Sequence, residues 1–225
     1  MSVLLEVAIR SERDVPGAQE GGADRMFLTS PEGLSPDLTA TSAVLREAQI
    51  PVRVMLRLND SFTTTGGEFT RLVGLAEEYV ALGAQGVAFG FLDTDLEVDV
   101  ATCRELAERL PGVPWTFHDA IDSCLDSRRA WRDLLKLSGL DAVHTSGSPR
   151  GLGVGYDDLL AAAQADPTAA ALMLPGTDLL PEQVPWLARA GVGQFHVGVQ
   201  ARPGASFKAY VDSGHVRSWR LLLDS

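Results

Sequence analysis

The sequence predicts a single (β/α)8 barrel over residues 1–225, of the TIM type, and three observations predict it. Eight short apolar runs alternate with helical stretches along the whole chain, the pattern of a closed α/β barrel. Four of those runs are entered through one junction grammar: Gly22-Ala-Asp-Arg-Met-Phe-Leu-Thr29, Gly83-Ala-Gln-Gly-Val-Ala-Phe-Gly90, Gly139-Leu-Asp-Ala-Val-His-Thr-Ser146 and Gly191-Val-Gly-Gln-Phe-His-Val-Gly198. Glycine just past a helix supplies a left-handed C-cap, and the run behind it reads as a buried parallel strand. The junctions lie 61, 56 and 52 residues apart, room for two strand–helix units each time. Finally, no Pro/Gly/Ser linker divides the chain, and no GxGxxG follows the first run as an open dinucleotide-binding sheet would need.

Taken in order, Leu4–Ile9 is strand one, and Ser35-Pro36 signals a helix start. Val52–Arg57 is strand three, introduced by Pro51, as Pro114 introduces strand five at Trp115–His118. Glu68–Val80, Val100–Leu110 and Asp126–Lys136 space apolar residues three and four apart and read as helices. Asp157 and Pro181-Glu182 mark further helix starts, and Ala170–Leu174 is strand seven. Arg202–Ser206 reads as a loop, and a helix around Val216–Leu223 closes the barrel.

A net charge of −11 argues against nucleic-acid partners, which select basic surfaces. No apolar run reaches the length of a membrane span, and the start Met1-Ser-Val-Leu-Leu-Glu-Val7 lacks a basic n-region, so a cytoplasmic protein is expected. Cys103 and Cys124 have no zinc-ligand spacing and are expected as thiols. Trp186, Trp219 and Phe207 offer apolar surface for a homo-oligomer, or simply core packing.

Barrel active sites lie at the C-terminal ends of the strands. Two runs end in the same dipeptide, Phe117-His118 and Phe195-His196, which delivers an imidazole to the mouth twice. These two histidines are the expected acid/base groups or metal ligands. Glu6 or Asp122 would orient an imidazole, and Arg57 would hold a carboxylate or phosphate. Glu6 and Arg57 alternatively form a buried ion pair at the barrel centre. Thr145, Ser146 and Gly147 open a donor-rich loop suited to an anion, with Gly176 across the mouth after strand seven. With Thr145 turned to the mouth, strand alternation turns His144 the other way, against the helices.

These strand ends resemble the CutC copper-homeostasis family. The stretches that carry the resemblance are Leu5-Glu-Val-Ala8, Gly21-Gly-Ala-Asp-Arg25, Pro51–Arg57, Phe117–Asp122, Thr145-Ser-Gly147, Leu174-Pro-Gly176 and Phe195-His196. The resemblance implies a (β/α)8 barrel, a cytoplasmic location and a role in copper handling, with Glu6, Arg57, His118, Asp122, Thr145, Ser146 and His196 at the mouth. Family members commonly carry cysteines where this chain has Ala8 and Thr29, and a basic residue where it has Asp119. Copper, the one cofactor implied, would then be held through His118, His196 and carboxylates, since Met1, Met26, Met55, Met173 and the two cysteines form no evident cluster in sequence. Two other readings stand beside it. One is a lyase-, isomerase- or hydrolase-type enzyme acting on a small anionic metabolite; the other is a barrel kept as an interaction surface.

Overall fold

The structure, a computed structural model, describes residues 3–225. Eight parallel strands run β1 (Leu4–Ile9), β2 (Arg25–Leu28), β3 (Val52–Met55), β4 (Gly86–Phe89), β5 (Trp115–Phe117), β6 (Leu140–Thr145), β7 (Met173–Pro175) and β8 (Gln194–Val197). Their order around the sheet is β7-β6-β5-β4-β3-β2-β1-β8, so sequence neighbours are spatial neighbours. Among the described residues β7 and β8 share no backbone ladder. Side chains cross that seam instead: Gln194 Nε2 donates to Asp141 O at 2.9 Å and Ala171 O at 3.2 Å, and Gln200 Nε2 donates to Leu179 O at 3.2 Å. The result is a nearly closed barrel.

Helices α1 (Val15–Gly21), α2 (Leu38–Glu47), α3 (Gly66–Ala81), α4 (Val100–Glu108), α5 (Ser127–Leu134), α6 (Leu152–Ala165), α7 (Pro167–Leu172), α8 (Val184–Arg189) and α9 (Ser213–Leu223) surround the sheet. The four junction glycines, Gly22, Gly83, Gly139 and Gly191, have φ of 93°, 108°, 78° and 100°, the left-handed backbone that stops a helix and turns the chain into the next strand. Reciprocal bonds between Thr65 and Glu68 start α3 at Gly66, ahead of the apolar periodicity. Several boundaries differ from expectation, two of them with a clear consequence for the strands and loops at the mouth. Ala170–Leu172 is helical, because Asp166 caps Thr168 and Ala169 and Pro167 occupies the first turn, so β7 begins only at Met173. Helix α6 begins at Leu152 rather than at Asp157.

Alternation along each strand separates two interiors. Outward residues such as Leu5, Val7, Met26, Val54, Phe89, Phe117 and Phe195 join the helices in one large apolar core. The lumen holds only a small apolar cluster, Phe27, Met55 and Ala88, and is otherwise polar. Register decides which residues enter it. Trp115 pairs with Leu140 but Thr116 pairs with Ala142, so Asp141 is an extra residue on β6. That bulge inverts the in–out phase of the rest of β6. Val143 pairs with outward Phe117, and His144 faces inward. The expectation that His144 packs against helices is therefore corrected: alternation holds, but the bulge sets its phase.

Candidate functional site

At the floor of the lumen, Arg53 forms a double ion pair with Asp141, the bulge residue, and donates to Thr116 Oγ1. One layer up stands Glu6, fully buried on β1. Arg25 Nε donates to its Oε2 at 2.5 Å, while His144 Nε2 and His196 Nδ1 both lie on its Oε1, at 2.7 and 2.8 Å. The buried ion pair at the barrel centre thus joins Glu6 to Arg25, its register partner on β2, and not to Arg57. Burial opposes ionisation of Glu6, but Arg25 and the two imidazoles outweigh it and hold the carboxyl well below its usual range. An ionised carboxylate only accepts hydrogen bonds, so both imidazoles direct an N–H at it. Burial, then the neighbouring His144, keeps His196 from protonating easily, against the pull of Glu6. The two rings stand 4.5 Å apart by centroid, and each meets Phe27 edge-on, at 4.8 Å for His144 and 5.7 Å for His196.

The mouth above them is a cavity of about 320 Å³. Six residues singled out in the sequence line it: Arg57, His118, Thr145, Ser146, Gly176 and His196. Both Phe-His dipeptides send the phenyl ring outward and the imidazole inward, and each imidazole rests on a glycine of the preceding strand end. A Cβ built on Gly90 would lie 3.1 Å from the His118 ring, and one on Gly176 would lie 3.0 Å from His196 Cδ2. The larger cavity, about 650 Å³, lies at the opposite end of the barrel, around Pro111–Trp115 and Lys136–Gly139, away from these groups.

His118 stands apart from the Glu6 group. Among the described residues, the carboxylate and imidazoles that approach one another closely enough to share a metal ion are Glu6, His144 and His196. His118 Nδ1 accepts from Ala120 N–H at 3.2 Å, capping the short 3-10 turn Asp119–Ser123. That bond requires a lone pair on Nδ1, so the neutral ring carries its proton on Nε2. Burial lowers the ring's pKa to about 4, despite an Asp119 carboxylate 3.5 Å from Nδ1, with Arg57 and His144 assisting the decrease. Of the two histidines expected as metal ligands, His196 therefore belongs to this group, with His144 beside it, and His118 lies outside it.

Asp122 does not reach an imidazole either. Its carboxylate accepts from Thr145 Oγ1 at 2.6 Å, Ser146 N at 2.7 Å and Gly147 N at 3.1 Å. Burial pushes its pKa up to about 6, against those three bonds. The donor-rich loop expected to cradle an anion therefore spends these two amides on the chain's own carboxylate. Arg57 donates from Nε to Asn59 O at 3.0 Å and from Nη2 to Asp60 O at 2.6 Å, and among the described residues it has no carboxylate partner.

The thiols lie elsewhere. Cys103 is buried in the outer core and Cys124 borders a neighbouring cavity; burial first, and nearby carboxylates, push both up to about 12. Met55 does line the mouth, a soft donor whose inward position the sequence did not reveal. Met1 lies outside the described residues. Arg25 and Phe27 were also missed; their alternation along β2 was the available signal.

Comparison with known proteins gives a consistent result. The CutC family model matches residues 3–201. The CutC family protein of Xylella fastidiosa (strain Temecula1) is 32% identical over 206 residues, covering 89% of this chain and 76% of its own. That of Xanthomonas campestris pv. campestris (strain B100) is 32% identical over 211 residues, covering 91% and 87%. Among solved structures, the CutC protein of Streptococcus agalactiae, named for copper homeostasis, superposes with a TM-score of 0.75 at 20% identity, covering 87% of this chain and 98% of its own.

Proposed function

The chain belongs to the CutC family, and we propose that it handles copper, holding one ion at the barrel mouth on the imidazoles of His144 and His196. The observation that carries this reading is the shared carboxylate: one ionised oxygen, Glu6 Oε1, receives both rings. With an N–H of each ring spent on Glu6, His144 Nδ1 and His196 Nε2 are the ring nitrogens left for an ion. A buried carboxylate that fixes the tautomer and angle of a ligating histidine is a recurrent support of metal sites. Imidazole suits copper, and Met55 lines the same cavity with a thioether. Neither cysteine borders that cavity, so in this chain the donors are nitrogen and thioether rather than thiolate. The reading includes a cytoplasmic setting, in keeping with two unpaired cysteines.

Copper uptake tests it. Metal-stripped protein dialysed against copper is expected to take up one ion per chain, and the His144→Asn/His196→Asn double variant, checked for folding by circular dichroism, to retain less than about a tenth of it. Equal uptake by the folded double variant would overturn the assignment.

A further inference from the structure

The two walls of the mouth have opposite chemistry. On the β6–β8 side, His144 and His196 line the cavity, each with one ring nitrogen that is not bonded to Glu6. On the β3–β5 side Arg57 and His118 are donors, with the Asp119 carboxylate exposed at the rim. Arg57 carries a full positive charge whose bonded partners are backbone carbonyls, and its Nη1 takes part in neither bond. His118 offers Nε2–H, because its Nδ1 is committed to Ala120. A single side chain supports both donors: the Phe62 ring lies 4.6 Å from the Arg57 guanidinium carbon and 5.6 Å from the His118 ring. Cation and N–H are thus set side by side by one aromatic platform.

Charge completes the argument. Glu6 is already balanced by Arg25, and Asp141 by Arg53. An ion bound by two neutral imidazoles brings positive charge into a confined cavity that already holds Arg57. Buried charge is costly without a partner. Asp119 lies at the outer edge, its side chain 58% exposed, and Glu32 is likewise an exposed rim residue. Asp122, the carboxylate beside this wall, is consumed by Thr145, Ser146 and Gly147. Both rim carboxylates are shared with solvent, so an anion entering the cavity adds negative charge on the inner side of the half-buried Arg57, and a cavity of about 320 Å³ has room for one of a few heavy atoms beside a metal ion.

We infer that the mouth takes its metal together with a small chelating carboxylate, of the dicarboxylate or 2-oxo-acid class, with the anion bridging the His144–His196 ion to Arg57 and His118. The inference rests on the copper reading above and names the co-ligand for that site. Two oxygens on one edge of the anion, a carboxylate oxygen and the oxygen on the adjacent carbon, would chelate the metal. The oxygens on the opposite edge, one on each carboxylate of oxalate, would meet the guanidinium, which is suited to two parallel hydrogen bonds.

Oxalate is the probe. Protein loaded with Cu(II) in a non-coordinating buffer is titrated with oxalate while electron paramagnetic resonance follows the protein-bound copper. Gel filtration reports whether copper and oxalate elute with the protein. The expected result is a new protein-bound copper signal with both components co-eluting, and a half-saturation raised at least tenfold in Arg57→Gln. Arg57→Lys, which keeps the charge without the paired donors, should fall between. Each variant is compared with its own copper loading before oxalate, and its folding is checked by thermal melting. Phe62→Leu, which removes the shared platform while keeping both donors, supplies a second weakened variant. Should oxalate only strip the copper, or titrate Arg57→Gln and the native chain alike, the co-ligand is overturned while copper binding stands. A chain that takes up no copper at all brings down both readings.

Discussion

Glu6 is the residue on which the site turns, and its influence is exerted through other side chains. Glu6→Gln keeps the shape but replaces a carboxylate that accepts from two imidazoles and Arg25 by an amide that cannot satisfy all three. Copper affinity is expected to drop by roughly 10- to 100-fold, the usual cost of losing an outer-shell partner, as read by competition with a chromogenic chelator. Acid sensitivity divides between the buried His118 and the half-buried Asp122, which act with opposite sign. His118 has a folded pKa of about 4 against an ordinary 6.5, so the unfolded chain takes up its proton first. The stability tied to this neutral ring is complete above pH 6.5 and is lost as pH falls towards 4. Asp122 titrates near 6 against an ordinary 3.8, so it stabilises below 3.8 and that contribution disappears as pH rises towards 6. Between these limits the two oppose each other. Asp122→Asn should therefore make the melting temperature fall more steeply from pH 6.5 to 4, and His118→Asn should flatten the fall. Parallel melting curves in the two variants would show that neither group carries the pH dependence.

At the scale of the element, the strand ends aim the side chains and their glycines leave the space. The Phe-His repeat was legible because it is local: an outward phenyl next to an inward imidazole is what alternation requires at the end of a buried strand. The role of the facing glycine was not legible, since it depends on the neighbouring strand. A methyl group on Gly176 would press on His196 at 3.0 Å from Cδ2 and 3.1 Å from Cβ, and the backbone there has no positive φ to add strain. Gly176→Ala is expected to swing the imidazole off Glu6, weakening copper binding on the order of tenfold, as expected for a lost outer-shell contact. Isothermal titration alongside a melting curve would separate this from general destabilisation, which should be small. A larger fall in melting temperature than in affinity would instead assign Gly176 to packing.

For the whole molecule, closing the ring is the structural problem, because β7 and β8 meet without a ladder and the chain must return to β1. Arg202, nearly fully buried after β8, clamps that return: its Nη1 and Nη2 lie 2.8 and 3.1 Å from the Asp14 carboxylate, and Nη2 donates to Ala8 O at 3.0 Å. Asp14 also accepts from the backbone of Arg10 and Val211. Breaking one side of a buried pair strands the other charge, so Asp14→Ala is expected to cost about 3–5 kcal/mol by urea denaturation. A loss below 1 kcal/mol would mean that the segment after β8 is held against β1 by packing alone.

By itself the sequence determined the barrel, its eight strand positions to within a few residues, the membership of most mouth residues and the resemblance to a family. Those features follow from periods and caps that a short stretch of chain carries within itself. It could not determine that His144 enters the lumen, that Glu6 pairs with Arg25 rather than Arg57, or that Asp122 occupies the amides of its neighbouring loop. Each depends on the register between strands or on how a loop folds back. A single extra residue at Asp141 exchanges the inward and outward faces of β6, and only the pairing of β5 with β6 reveals it. The tertiary structure therefore decided which histidines share a carboxylate, and with them which atoms are left to hold an ion.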